Sequence, residues 1–223
     1  FAKSMIKFMK DEYGVDPVYE AQAGEKETDF RSFLLKAKAA NPDAIVLSGL
    51  VDETVRALKQ SYEVGIPKSV ARVANSVASK VEVPTNAGKA AVGVTYAAAF
   101  AASDKRPIAK KFVKKIKDKY GVVPGHDFSQ MQDLLDMLRP ALEKAQLKFS
   151  GNLASDRNAV RDSIASITNF TGLASGPIGF CAAGSPECRD GNKTPVMIEY
   201  TKGGKNWKTK VAGTVTFNPS AGL

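Results

Sequence analysis

The sequence predicts an α/β protein built around a mainly parallel sheet flanked by helices. Three observations carry that prediction. Short apolar runs bounded by turn residues alternate with stretches of helical periodicity through the first hundred residues. The segment 41–67, NPDAIVLSGLVDETVRALKQSYEVGIP, contains the repeating unit whole: strand, small-residue loop, helix. From about residue 170 onward, glycines separate strand-like runs, as in antiparallel hairpins.

Asn41-Pro42-Asp43 is a turn, and Ala44-Ile45-Val46-Leu47 after it has the composition of a strand buried on both faces. Asp52 is placed to cap a helix starting near Glu53, with Val55, Leu58 and Tyr62 on one face and Gly65 with Pro67 as its stop. Ahead of this unit, Phe1, Met5, Phe8 and Met9 share a helical face that ends at Gly14. No strand precedes them, so the chain is expected to start within a fold. A short strand is expected over 17–21 and a polar loop over 24–28. A helix capped by Thr28 or Asp29 should follow, burying Phe30, Phe33, Leu34 and Ala37.

Beyond the central unit, strands are expected over 69–74 and 92–96, with an alanine-rich crossing over 97–104. Asp104 and Pro107 suit the cap and first turn of a lysine-rich helix ending at Tyr120-Gly121. The next helix is expected to bury Met131, Leu134, Leu135, Leu138 and Leu142 and to bend ahead of Pro140. Asp156 can cap a further helix carrying Val160, Ile164 and Ile167. Strands over 195–200 and 207–211, joined by Gly203-Gly204, close the chain.

With 223 residues the chain can bury a substantial core in one or two domains. Its net charge of +9 is concentrated in KRPIAKKFVKKIKDK, 105–119. There Ile108, Phe112, Val113 and Ile116 make an apolar stripe, and the lysines occupy the solvated sides. Lysines outnumber arginines, and neither zinc spacing nor aromatic interleaving is present, so no nucleic-acid partner is expected. No run approaches the ~20 apolar residues of a membrane span. Cys181 and Cys188 lie seven apart in CAAGSPEC, neither a zinc nor a C-x-x-C spacing. A loop disulfide or two free thiols are both open, and the disulfide would require an oxidising compartment.

The sequence carries no catalytic constellation. His126 is the single histidine and has no nucleophile at a matching spacing. Gly172, Gly176 and Gly179 do not form a dinucleotide fingerprint, and GGKNWK is not a phosphate loop. Asp133 and Asp136 are accounted for as solvated residues on the polar side of their helix. No cofactor or metal is expected. In an open parallel sheet ligands bind beyond the carboxyl ends of the strands. That rule points to the loop 48–51 and, one strand over, to Asn75 and Ser76.

The order of short motifs resembles the solute-binding proteins of bacterial ABC importers, in the branched-chain amino-acid receptor group with the type I periplasmic fold. The residues concerned are Asp29-Phe30, Asn41-Pro42-Asp43, Lys59-Gln60 before Gly65-Ile66-Pro67, and Ala87-Gly88 with Ala90, Val92, Gly93 and Val94. Phe112 through Tyr120-Gly121, Ala141-Leu142 with Ala145, and Phe170-Thr171-Gly172 with Gly176 and Phe180 continue the series. The resemblance implies two α/β lobes that close over a solute, with the first part of the family's sequence absent here. Residues 1–99 would form the second lobe, 100–165 would be helices completing the first, and 166–223 would return to the second. It implies ligand contacts from Leu50, Val51, Asn75 and Ser76, and from Phe128 and Gln130 before the long helix. Amino-acid receptors tend to place an acidic group near the position of Asn75 for the ligand's ammonium. An asparagine there favours an aromatic or other organic acid, with a branched-chain amino acid next.

The expected role is therefore transport: a periplasmic protein, or an extracytoplasmic lipoprotein, that hands its solute to a membrane permease without altering it. A ligand-sensing domain of a receptor or regulator with the same fold is the first alternative. An α/β enzyme with catalytic residues elsewhere is the second.

Overall fold

The computed structural model describes residues 2–24, 26–149, 151–174, 177–180 and 194–214. Cys181, Cys188 and Gly176 lie outside them. The chain divides into two compact units, Phe1–Ala97 with Ile198–Ala212, and Ala98–Met197 with Gly213–Leu223. The first passage between them falls in the alanine-rich stretch after Tyr96.

Unit 1 is organised by the sheet β1 (Ala44–Leu47), β2 (Ala71–Ala74), β3 (Val94–Ala98), β4 (Val196–Lys202) and β5 (Lys208–Thr214), paired in that order. β1, β2 and β3 are parallel, with Leu47 opposite Ala74 and Ala74 opposite Tyr96. The five-residue connection from β4 to β5 is too short for a parallel crossover, so these two strands run antiparallel. Because registered side chains in neighbouring strands share a face, Leu47, Ala74 and Tyr96 form one row and Val46, Val73 and Thr95 lie on the opposite face. The first row is the better buried. β1 is the outermost strand, and its Val46 is 41% exposed. Burial of β1 on both faces is therefore corrected: an edge strand covered on one side alternates.

Helix α3 (Val51–Glu63) buries Thr54, Val55, Ala57, Leu58, Gln60 and Ser61. Its buried face is thus rotated from the apolar reading, and Tyr62 lies outside with the Lys89 ammonium 4.5 Å from its ring centroid. The stop at Gly65 is as expected, with φ +68°. α2 (Arg31–Ala39) packs against α3 and buries Leu34 with Ile66 and Val70. Gln60 ties the loop ahead of α2 to α3, accepting from the Phe30 N–H at 2.6 Å and donating to the Thr28 carbonyl at 2.9 Å. α1 (Ala2–Tyr13) forms where expected but buries no residue. The segment 17–21 is not a strand. β-structure needs a neighbour to accept its hydrogen bonds, and these residues find none.

The core of unit 1 closes around Tyr200, which has no exposed surface. Its ring lies 5.3 Å from that of Tyr96 and 5.9 Å from that of Trp207, and its hydroxyl donates to the Ala78 carbonyl. Burial pushes the Tyr96 hydroxyl up to about 12 and raises that of Tyr200 as well. After β4 the turn presses on α4 (Glu82–Ala87) and the turn following it. A Cβ at Gly203 would collide with the Gly88 carbonyl.

Unit 2 contains α5 (Pro107–Tyr120), α6 (His126–Ala145) and α7 (Leu153–Ala165). α5 buries Ala109, Phe112 and Ile116 and ends at Gly121 in the left-handed region, φ +71°. Its Ile108 is exposed. Asp104 does not cap α5 by its side chain; it accepts from the Arg106 N–H and guanidinium, both at 2.8 Å. α7 is capped by Asn152, which accepts from the Ser155 N–H at 3.1 Å. Asp156, expected in that role, instead accepts from the N–H groups of Lys148 and Phe149, each at 3.2 Å.

The largest departure is α6. Its buried residues are Ser129, Asp133 and Ala141, whereas Met131, Leu134, Leu135 and Leu142 are exposed. The helix continues through Pro140. Asp133, read as solvated, is 2% exposed and accepts from the Leu173 and Ala174 N–H groups at 2.6 and 2.8 Å. Gly172 makes this approach possible, because a Cβ there would meet the Asp133 carboxylate. Arg106 holds the other side of the same segment, donating to the Leu173 carbonyl at 2.6 Å. Residues 172–174 are thus clamped between an acid for their donors and a base for their acceptors.

Candidate functional site

The rim at the carboxyl ends of β1 and β2 assembles from short-range geometry. β1 stops at Leu47, and Ser48-Gly49 carry the chain to Leu50, whose carbonyl accepts from the Thr54 N–H at 2.9 Å. The helix starts two residues earlier than Asp52 would set it: Leu50 is the capping position and Asp52 lies inside the first turn. Glu53 does the capping, accepting from the Leu50 N–H at 2.5 Å. Asp52 and Glu53 also place negative charge at the positive end of the helix dipole. A side chain at Gly49 would come within 3.2 Å of the Glu53 Cβ, so glycine suits the tight approach.

Asn75 follows β2 directly. Its N–H donates to the Leu47 carbonyl at 3.2 Å, and its Nδ2 donates to the Gly49 carbonyl at 3.1 Å. The two strand ends are thereby stitched into one rim. Because the Gly49 carbonyl can only accept, the contact orients the amide and leaves Oδ1 as the free acceptor. Among the described residues that Oδ1 is buried without a partner, as are Thr54 Oγ1 and Ser79 Oγ. Thr54 and Asn75 both adjoin Gly49. The rim therefore holds uncommitted polar atoms while its surface offers the Leu50 side chain, 70% exposed, and the exposed Ser76. Val51 is half-buried at the first position of α3.

Leu50, Val51, Asn75 and Ser76 are accordingly brought together in unit 1. Phe128 and Gln130 belong to α6 of unit 2, Phe128 exposed beside Met131 and Gln130 half-buried. His126 is the first residue of α6. Among the described residues no group of three His, Cys, Asp or Glu side chains could hold a metal, and no helix is long and apolar enough to cross a membrane. Thr54 and Ser79 were not singled out from the sequence. Their hydroxyls are buried by packing of α3 on the turn after β2, which no local pattern announces.

Parallel strands with loops gathered at their carboxyl rim are the arrangement at which open α/β sheets bind ligands. Residues 2–187 match the family described as periplasmic binding protein, and the chain belongs to that family. The leucine-binding protein LivK of Thermotoga maritima is 26% identical with a TM-score of 0.71, over 89% of this chain and 51% of its own. LivJ of Streptococcus pneumoniae, a branched-chain amino-acid substrate-binding protein solved with isoleucine, is 22% identical with a TM-score of 0.78, over 97% and 57%. A solute-binding protein from R. palustris, solved with benzoate, is 16% identical with a TM-score of 0.74, over 96% and 55%. The chain thus spans little more than half the length of these structures. No curated protein matches it. The fold is the type I periplasmic binding protein fold implied by the motif order.

Proposed function

We propose that this chain is the solute-capturing part of an ABC importer's substrate-binding protein. It takes up a small organic solute outside the cytoplasm and passes it unaltered to a membrane permease. In this reading Leu50 and Val51 give apolar contact and Asn75 and Ser76 polar contact, with Phe128 and Gln130 as further contacts. Residues 1–99 act as the second lobe, 100–165 as helices of the first, and 166–223 as the returning segment. Cys181 and Cys188 pair in the oxidising compartment.

The preferred solute is an aromatic or other organic acid, with a branched-chain amino acid second. The observation that carries this choice is the Asn75 side chain, a neutral amide that gives an ammonium no counter-charge and commits only one of its two Nδ2 protons to the Gly49 carbonyl. The Glu53 carboxylate is likewise engaged, by the Leu50 N–H. Desolvating an ammonium group without an anionic partner costs several kcal/mol, so such a rim suits a solute lacking one. Relatives of this fold include one solved with isoleucine and one solved with benzoate, and both classes are within its reach.

A thermal-shift series tests the reading. At ~100 times its dissociation constant a ligand adds about 2.7 kcal/mol and raises the midpoint by several degrees. Benzoate and 4-hydroxybenzoate are expected to do so, leucine and isoleucine less. Asn75→Asp should reverse the order. If only the amino acids stabilise the native chain, the solute assignment is wrong, and if no organic acid or amino acid does, the capture reading fails.

A further inference from the structure

The positive charge of this chain is gathered on one helix. Between Lys105 and Lys119 there are eight basic residues and one acid, so this segment supplies +7 of the net +9. Most of it lies on α5, whose inward side is fixed by Ala109, Phe112 and Ile116, packed with Phe100 and Leu173. At 100° per residue, Lys110, Lys111, Lys114, Lys115 and Lys117 fall on the opposite side, in an arc of roughly 160°. All five are exposed. Among the described residues only Lys114 of these five has an ion pair, with Asp118 on the same face. Lys110 and Lys114, and Lys111 and Lys115, stand four apart, the spacing at which like charges destabilise a helix. The fold itself gains nothing from that arrangement.

We propose that this face docks on an anionic lipid surface, lying against phospholipid headgroups without inserting between them. Two features select that partner. Every basic residue on the arc is a lysine, a hydrated point charge suited to a diffuse layer of headgroups. The forked guanidinium that grips a fixed carboxylate or phosphate is absent from it. Protein interfaces centre on apolar and aromatic side chains and are depleted in lysine, the reverse of what the arc presents. The buried groups of α5 point inward, and its exposed Ile108 and Tyr120 lie outside the arc near the two ends of the helix. The face therefore has no apolar wedge to sink into acyl chains. In the transport reading above, the contact holds the chain at the membrane that carries its permease. The charge argument does not depend on the solute, and it stands if the thermal-shift series fails.

Cosedimentation with lipid vesicles tests the proposal. The chain is expected to bind phosphatidylglycerol vesicles and not phosphatidylcholine vesicles. It should be released as salt rises from about 0.1 to about 1 M and the Debye length shrinks from ~10 to ~3 Å. Glutamine at Lys110, Lys111, Lys115 and Lys117 should weaken binding on the order of a hundredfold, at about fivefold per lysine near the surface. A second variant carries glutamine at Lys26, Lys36, Lys68 and Lys205, exposed lysines of unit 1, and has the same net charge. It should bind within about threefold of the native chain, because screening confines the attraction to charges at the surface. Equal losses in the two variants overturn the proposal, since binding would then follow net charge and not this face. Lysine acetylation with and without vesicles, read by mass spectrometry, decides the same point without substitutions. Lys110, Lys111 and Lys115 are expected to be protected, and Lys26, Lys36 and Lys68 are not; the opposite pattern or uniform protection overturns the assignment. So does failure to bind phosphatidylglycerol at low salt. Binding to polyglutamate without binding to vesicles would give the face to an acidic protein instead.

Discussion

Helices α3 and α6 are both amphipathic, and the two units use them in opposite ways. α3 buries Val55, Ala57 and Leu58 along with Thr54 and Ser61, packed against α2, α4 and the turns after β2 and α4. α6 buries Ser129, Asp133 and Ala141 and leaves four of its large apolar residues at least half or nearly half exposed. The difference does not lie in the helices, because each offers an apolar stripe at helical spacing. It lies in what surrounds them. A hydrophobic face is stabilising only if another element removes it from water, and a polar face can be buried if its groups find partners. Asp133 finds two backbone donors, so α6 can turn its acid inward.

The sharpest way to break this contrast is a pair of leucine truncations. Leu58 has no exposed surface, and Leu58→Ala should lower the unfolding free energy by about 2–5 kcal/mol in denaturant titration. Leu135→Ala in the same chain should change it by less than about 0.5 kcal/mol. Equal losses would mean that α6 is covered in solution as α3 is. Next in size is Asp133→Ala, which strands the Leu173 and Ala174 N–H groups; a loss of about 2–4 kcal/mol is expected. A neutral result would show that the inward turn of α6 does not depend on this carboxylate.

Unit 1 should also carry a high-pH signature through its tyrosine pair. Burial raises both hydroxyl pKa values above the ordinary 10, that of Tyr96 to about 12. The unfolded chain then loses these protons first, so stability is complete below pH 10 and falls between about pH 10 and 12. The slope is about 1.4 kcal/mol per pH unit for each buried tyrosine. Tyr96→Phe should flatten that fall, as read from unfolding midpoints against pH and phenolate absorbance. The smallest effect belongs to the lysine face of α5. Lys114 pairs with Asp118 one turn on, both largely exposed, and Lys114→Ala should alter stability by no more than about 0.5 kcal/mol.

Much of the rim was legible beforehand because its signals are local. The turn 41–43, the strand 44–47 and the small residues at 48–49 place one strand end. Asn75 follows the next strand at the same edge because the two are parallel. The cap was misplaced by two residues: Asp52 has the right chemistry, but Glu53 reaches back to the Leu50 N–H from inside the helix. Thr54 and Ser79 could not be found, since a hydroxyl in a helix or short turn gives no sign of which neighbour will cover it. In unit 2 the hidden roles are those of Asp133, Gly172 and Arg106, residues 39 and 66 apart from Gly172, joined only when α6 meets the loop after α7.

From its sequence alone this protein is determined to be an alternating α/β chain with its helix stops at Gly65 and Gly121 and its parallel strands ending in small polar loops. Periodicity, turn chemistry and backbone freedom act over a few residues, and a chain states them directly. Which face of α6 is dry, why β1 shows Val46 to solvent, and which hydroxyls lose their water were decided by tertiary structure. Burial is a property of pairs of surfaces, and one strand of text describes only half of each pair.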